Sequence, residues 1–423
     1  MKILWFSNSP ANGIRHFDHE SVKGGWLQSL DELIQDKIEL HVAFYYPGHF
    51  SSFTYGKTTY HPISRKSWKM LSVKATLFNK IVHKEDLDIY TAIIQKVQPD
   101  LIHIHGTENP FGYLQQEVDL PVVFSIQGII NVYLHKYSVA FEDKYLNTNS
   151  KTIKDGLKHY LFNENFLQSK KAFRAMQKRE SAILANATHI IGRTNWDRRV
   201  TNVLAPLSKY YHSDELLRSS FYNHEWQPRD IADRFIIFTT NDNNPYKGFE
   251  TICETVQLLI QLKFDVEWRV AGIASGDLIV KIIKKKMGNR FPLKNLVLIG
   301  KQPEKIILQN LLDAHLYVMP SHIENSPNNL CEAMMLGLPC LSTFAGGTDS
   351  MLENNVAGIL IQDGDPWSMA GSILEIRDNY EQAIKSGKKA RETSLIRHDR
   401  TKNMANLLGI YTAIIKGHGK NSA

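Results

Sequence analysis

Residues 320–342 read PSHIENSPNNLCEAMMLGLPCLS. The run before them, Leu316–Met319, is continuously apolar, as expected of a strand buried on both faces of a parallel sheet. Pro320 stops that strand, a polar loop carries Glu324, and the pattern turns helical at Pro327 or Asn328. Gly337 closes the helix, and Pro339–Ser342 opens another apolar run. Strand, loop, helix and strand in this order form one step of a parallel α/β sheet. The start of such a helix leaves backbone N–H groups and a positive dipole end free for an anion. Glu324 lies in the loop and Glu332 on the helix; alone, two glutamates so spaced are common on helices.

The same alternation extends in both directions. Upstream strand patterns are Lys2–Phe6, Glu39–Tyr45, Leu101–His105, Val122–Ile126 and His189–Gly192. The second half adds Phe235–Thr239, Val266–Ala271, Leu296–Ile299 and Gly358–Ile361. Amphipathic stretches such as Trp26–Ile34, Ile89–Val97, Phe249–Leu262 and Glu304–Leu312 lie between them. So many strands exceed one comfortable sheet, and the expectation is α/β with two Rossmann-like, doubly wound parallel-sheet domains. The first spans 1–207 with a helical insertion near 131–184, rich in Tyr and Phe. The second spans 208–400, and residues 401–423 form a C-terminal helix and tail packing on the first domain. The polar stretch 207–233 is the expected break.

Composition sets further bounds. The chain has 423 residues, 43% hydrophobic and 22% charged, which excludes a disordered or fibrous protein. Three cysteines (Cys253, Cys331, Cys340) exclude a disulfide scaffold and are too few for a Cys-ligated zinc site. There is no run of about 18 apolar residues, and MKILWFSNSP turns polar too soon for a leader, so a cytoplasmic protein is expected. The net charge is +7, and residues 151–200 concentrate it with 11 basic against 4 acidic side chains. That excess suits an anionic membrane surface or a phosphorylated substrate, while no nucleic-acid motif accompanies it.

Taken together, Pro320-Ser321, Glu324, Glu332-Ala333-Met334, Gly337 and Pro339 resemble the Glu-x7-Glu signature of family 4 glycosyltransferases. The lead-in Asn295–Gly300 with Asp313-Ala314 is similar to the same family, as are Gly346-Gly347, Glu353 and Gly358–Ile361 downstream. The resemblance implies two facing domains (the GT-B fold), the first binding the acceptor and the second the donor. It implies sugar transfer from a nucleotide diphosphate with retention at the anomeric carbon, without a metal cofactor. Lys247, in Asn244-Pro-Tyr-Lys-Gly248, matches the family's phosphate lysine. By the same resemblance Glu324 holds the donor sugar and Glu332 the ribose diol, with Asn325, Ser326, Asn328, Asn329 and Gly300 also lining the donor site. Lys23-Gly24-Gly25-Trp26 is similar to the family's phosphate or acceptor loop, and His105 and Gln127 are expected to line the acceptor side.

Two positions depart from the family pattern. Asp242 stands where an arginine is usual, so Arg193, just past a strand end, is the expected second cation. Gln127 stands where a histidine is usual; it can hydrogen-bond a sugar hydroxyl but is no general base near neutrality. These departures keep a weakly catalytic nucleotide-sugar-binding subunit as an alternative, beside an epimerase or phosphorylase of the same fold. His103 and His105 are of metal-ligand type, but structural or acceptor-lining roles suit a strand end better. The D-x-D matches Asp86–Asp88 and Asp363–Asp365 read as chance, and the absence of G-x-G-x-x-G disfavours an NAD enzyme. The leading expectation is a hexosyltransferase serving surface-glycan synthesis. Its acceptor would be glycan or lipid-linked, and the protein would touch an anionic membrane at its inner face.

Overall fold

In β1 (Lys2–Ser7) the side chains from Ile3 to Phe6 are all fully buried, so both faces of this strand must be covered. The computed structural model describes residues 1–17, 25–48, 50–64, 84–149, 165–231, 234–352 and 356–421. Around β1 stands an eight-stranded sheet ordered β3-β4-β2-β1-β5-β6-β7-β8. Its strands are β2 (Glu39–Tyr46), β3 (Phe53–Tyr55), β4 (Thr58–Ser64), β5 (Leu101–His105), β6 (Val122–Ser125), β7 (His189–Gly192) and β8 (Lys209–His212). Neighbours pair in parallel except β3 with β4, which are antiparallel.

The second sheet has six strands, β9 (Phe235–Thr240), β10 (Val266–Ala271), β11 (Leu296–Gly300), β12 (Leu316–Met319), β13 (Cys340–Thr343) and β14 (Ile359–Ile361). Their order is β11-β10-β9-β12-β13-β14, all parallel. The winding runs outward from β9 to β11, then returns to place β12 on the other side of β9. That reversal opens a crevice beyond the carboxyl ends of β9 and β12, where ligands bind in doubly wound sheets. In the first sheet the same reversal lies between β1 and β5.

The helices that matter below are α1 (Gly25–Ile34), α2 (Ile130–Lys136), α3 (Phe166–Leu184), α4 (Phe249–Gln261), α5 (Asn328–Leu336), α6 (Tyr380–Arg397) and α7 (Arg400–Asn421). Helix α7 places Leu407, Ile410, Tyr411 and Ile414 in the same core as Trp5, Leu30, Val42 and Leu101. Trp5 Nε1 donates to Tyr411 Oη over 3.1 Å, and His103 Nδ1 lies 2.6 Å from that oxygen.

The compact units differ from the linear division expected. The first gathers Met1–Asn131, Arg174–Arg218 and His398–Ala423; the second gathers Val132–Phe173 and Ser219–Arg397. Most of the 131–184 insertion therefore goes with the second unit, and the first unit continues past residue 207 to include β8. Strands β3, β4 and β8 lacked an apolar signature. Strands β3 and β8 are the sheet edges, where one side needs no cover. In β4, Thr58 Oγ1 and the Tyr60 hydroxyl donate to the buried Asp31 of α1, so polar residues occupy inward positions.

Candidate functional site

Two loops meet beyond β9 and β12. After β9, Asn244 leads into a short turn, Pro245–Lys247, and Gly248 then starts α4. After β12 comes Pro320 to Pro327, and then α5. Gly248 has φ +71°, and a Cβ there would collide with the carbonyl oxygen of Pro320, so glycine lets the two loops touch. Gly346 does the same from the β13 side: its φ is +66°, and a Cβ would strike the Glu324 carbonyl.

This contact brings Lys247 and Glu324 together. Lys247 Nζ donates to Glu324 Oε1 over 2.6 Å, and Ser321 Oγ donates to the same oxygen over 2.8 Å. Burial would depress the Lys247 pKa, but the charges of Glu324 and Asp242 raise it above its ordinary value, so the ammonium persists. Asp242 therefore adds negative field at the position where the resemblance led one to expect an arginine. Its carboxylate accepts from Asn244 Nδ2 at 2.8 Å. Glu324, Asn325, Ser326 and Glu332 are all buried. Asn329 Nδ2 donates to Thr240 O over 3.0 Å, tying the start of α5 to the end of β9. Asn328 Oδ1 is buried without a hydrogen-bond partner, and Gly300 ends β11 with φ +67°.

A second set of charged groups gathers around His322 in the same loop as Glu324, and none was singled out as functional from the sequence. His322 Nε2 is 2.6 Å from Glu250 Oε1 and Nδ1 is 3.2 Å from Asp363 Oδ2, which Lys136 Nζ also meets at 3.0 Å. Asp363 is thus an ion-pair partner. Asp365 is a helix cap, accepting from the amides of Trp367 and Ser368, so neither is free for the metal role that a D-x-D match suggests. Tyr246, beside Lys247, packs against Tyr133, Tyr137 and Phe173 with ring centroids 5.5, 6.0 and 6.3 Å away. Tyr137, Phe141 and Phe166 of the 131–184 stretch are buried, and Tyr133 and Phe173 are half-buried against Tyr246. Tyr160 and Phe162 of the same stretch lie outside the described residues.

The remaining expected site residues belong to the first unit. His105 ends β5 opposite Ser125 of β6, and Gln127 follows two residues later, half-buried. Both His105 ring nitrogens are buried without a hydrogen-bond partner. Burial, with His103 and Arg193 nearby, holds the imidazole neutral, well below its usual pKa. His103 is structural: Ser125 Oγ lies 2.6 Å from Nε2 and Tyr411 Oη is on Nδ1, and burial lowers its pKa to about 3. The Arg193 guanidinium lies 4.3 Å over the Trp26 ring, and its Nε is 3.6 Å from Glu215 Oε2. Arg193 thus pairs with a buried carboxylate within its own unit, as Lys247 does in the second. Gly25 opens α1; Gly24 lies outside the described residues, as does Glu353.

Among the described residues, no helix is long and apolar enough to cross a membrane. Comparison with known proteins extends over nearly the whole chain at the level of fold and over the second unit at the level of a family model. Amylovoran biosynthesis glycosyltransferase AmsK of Erwinia amylovora is 27% identical over 171 residues, 38% of this chain and 41% of that protein. Poly(ribitol-phosphate) alpha-N-acetylglucosaminyltransferase of Staphylococcus aureus is 26% identical over 278 residues, 64% of this chain and 53% of that one. The chain thus spans about half the length of the curated relatives it matches. Sucrose-phosphate synthase from Thermosynechococcus elongatus aligns over 99% of this chain and 100% of its own, with a TM-score of 0.71 and 14% identity. That likeness shows the fold, the two-domain GT-B architecture of glycosyltransferases. Residues 223–393 match the family model for glycosyl transferases group 1, and Lys247, Glu324 and Glu332 all fall inside that match.

Proposed function

We propose that the chain is a glycosyltransferase that moves a sugar from a nucleotide diphosphate to a glycan or lipid-linked acceptor, with retention and without a metal cofactor. The observation that carries this reading is the group formed by half-buried Lys247 with buried Glu324 and Ser321 at the switch point between β9 and β12, beside the start of α5. An ammonium has three N–H donors, so Lys247 can hold Glu324 and still donate to a diphosphate. Glu324 keeps a second oxygen for sugar hydroxyls, and the carboxylate of Glu332 is of the acceptor type that suits a ribose diol. When the sugar–phosphate bond breaks, its electron pair leaves on the phosphate oxygen. Lys247 and the first amides of α5 stabilise that growing charge. The acceptor oxygen bonds the anomeric carbon from the same face, and its proton passes to the departing phosphate. That route needs no side-chain base, which suits Gln127. The relatives named for amylovoran and for poly(ribitol phosphate) support a surface-glycan acceptor.

The test is a panel of UDP-, GDP- and ADP-linked sugars, read by thermal shift and then by transfer. A true donor raises Tm because it binds the native state. Transfer should persist in excess chelator and give a product with the donor's anomeric configuration. Complete loss in chelator, restored by Mn2+, overturns the metal-free mechanism; an inverted product overturns retention.

A further inference from the structure

We propose that His322 is a positioning residue whose ring clamps the Glu324 loop onto the turn that carries Lys247. The inference deepens the transferase reading above and, as a statement about catalysis, rests on it. The clamp has a backbone part and a side-chain part. His322 N donates to Tyr246 O over 2.8 Å, next to Lys247 in sequence. The ring then reaches Glu250, three residues beyond Lys247 in the first turn of α4, at 2.6 Å. On its other edge the ring meets Asp363 at 3.2 Å.

Both ring nitrogens therefore face carboxylate oxygens, and only a doubly protonated imidazole can donate to both. The side chain is 2% exposed, so water does not substitute for either bond. The groups facing the ring are Glu250 from α4 and Asp363 from the loop after β14, with Lys136 of α2 behind Asp363 at 3.0 Å. Charge alternates along this line: Lys136, Asp363, His322, Glu250. Thr251 Oγ1 donates to the Glu250 oxygen at 3.0 Å and fixes its direction. Burial by itself would lower the imidazole pKa; hydrogen bonds to Asp363 and Glu250 and their charges outweigh it and raise the value to about 9. A raised folded-state pKa means the clamp is whole below the ordinary value of 6.5 and fails as pH rises through about 9. Tyr246 and Lys247, both raised above their ordinary values, stay protonated across that window.

The experiment uses the full chain and two variants, His322→Gln, which keeps one donor without charge, and Asp363→Asn. Hydrogen exchange should speed up at the amides of 245–249 and 320–326 in His322→Gln. In the wild type, NMR should find one imidazole titrating near 9, absent from His322→Gln and shifted down in Asp363→Asn. For transfer, kcat of His322→Gln should fall roughly tenfold to a hundredfold, the scale of a misplaced catalytic group, with the donor KM nearly unchanged. The wild-type rate should decline as pH passes about 9; in Asp363→Asn that decline should start at lower pH. Unchanged exchange in His322→Gln, or an imidazole with an ordinary pKa, overturns the clamp. If the wild type transfers no sugar, the transferase reading falls, and exchange and NMR still decide the clamp. If His322→Gln does not fold, the wild-type titration and Asp363→Asn decide it.

Discussion

Lys247 holds Glu324 at 2.6 Å, so an incoming diphosphate meets an ammonium that has donors to spare but whose charge a carboxylate already partly offsets. The two variants of this pair should consequently diverge. Lys247→Ala removes the charge that strengthens its hold as the leaving oxygen becomes negative, and kcat/KM should fall about a hundredfold or more. It should also weaken binding of the free nucleotide diphosphate. Glu324→Gln keeps the volume, mispairs a sugar hydroxyl and releases Lys247, so transfer should collapse while nucleotide-diphosphate affinity holds or rises. Calorimetry with the nucleotide diphosphate alone separates the two, and equal loss in both variants would mean that Glu324 contacts the nucleotide or only supports the loop. At this scale Lys247 and Glu324 stood out in the sequence because short punctuated motifs surround them. His322, Glu250 and Lys136 did not, because their pairing, linked through Asp363, joins residues from four separate segments and no spacing records it.

Tyr411 ties α7 to the first sheet at a point where both partners are fully buried. Its hydroxyl accepts from Trp5 Nε1 and bonds His103 Nδ1, which itself reaches Ser125 on the other edge. Tyr411→Phe leaves the indole N–H and the imidazole nitrogen unsatisfied, and should cost about 1–3 kcal/mol of stability for each group so stranded. Chemical denaturation would measure this, with the slope of unfolding unchanged if the surface exposed on unfolding stays the same. A loss below that range would indicate that water replaces the hydroxyl. Elements buried on both faces were legible from apolar runs alone, as β1 and β12 illustrate. Edge strands β3 and β8 were not, since half-exposed Tyr, Thr and His residues carry no such run. The short turn at Gly56-Lys57 between β3 and β4 was a usable hairpin signal that a search for apolar runs passes over.

Across the whole molecule, the chain passes between its two units four times, after residues 131, 173, 218 and 397. A linear reading of composition sees one polar break near 207–233 and misses the other crossings, because each falls inside or beside a helix pattern. Fragments cut at 207/208 should therefore not behave as two domains. The first lacks β8 and α7, the second carries both without their sheet, and the 132–173 segment is severed from its unit. Expressed separately, neither should give the dispersed NMR spectrum of a packed domain; well-dispersed spectra from both would show that the crossings are dispensable. The placement of α7 also bears on the order in which the protein is made. Trp5 and Tyr411 are separated by 406 residues, so on a ribosome adding about 5–20 residues per second the first sheet waits on the order of 20–80 seconds for its last core helix. During that interval Trp5, Val42 and Leu101 lack part of their cover, which makes the nascent first unit the natural client of chaperones that bind apolar surface.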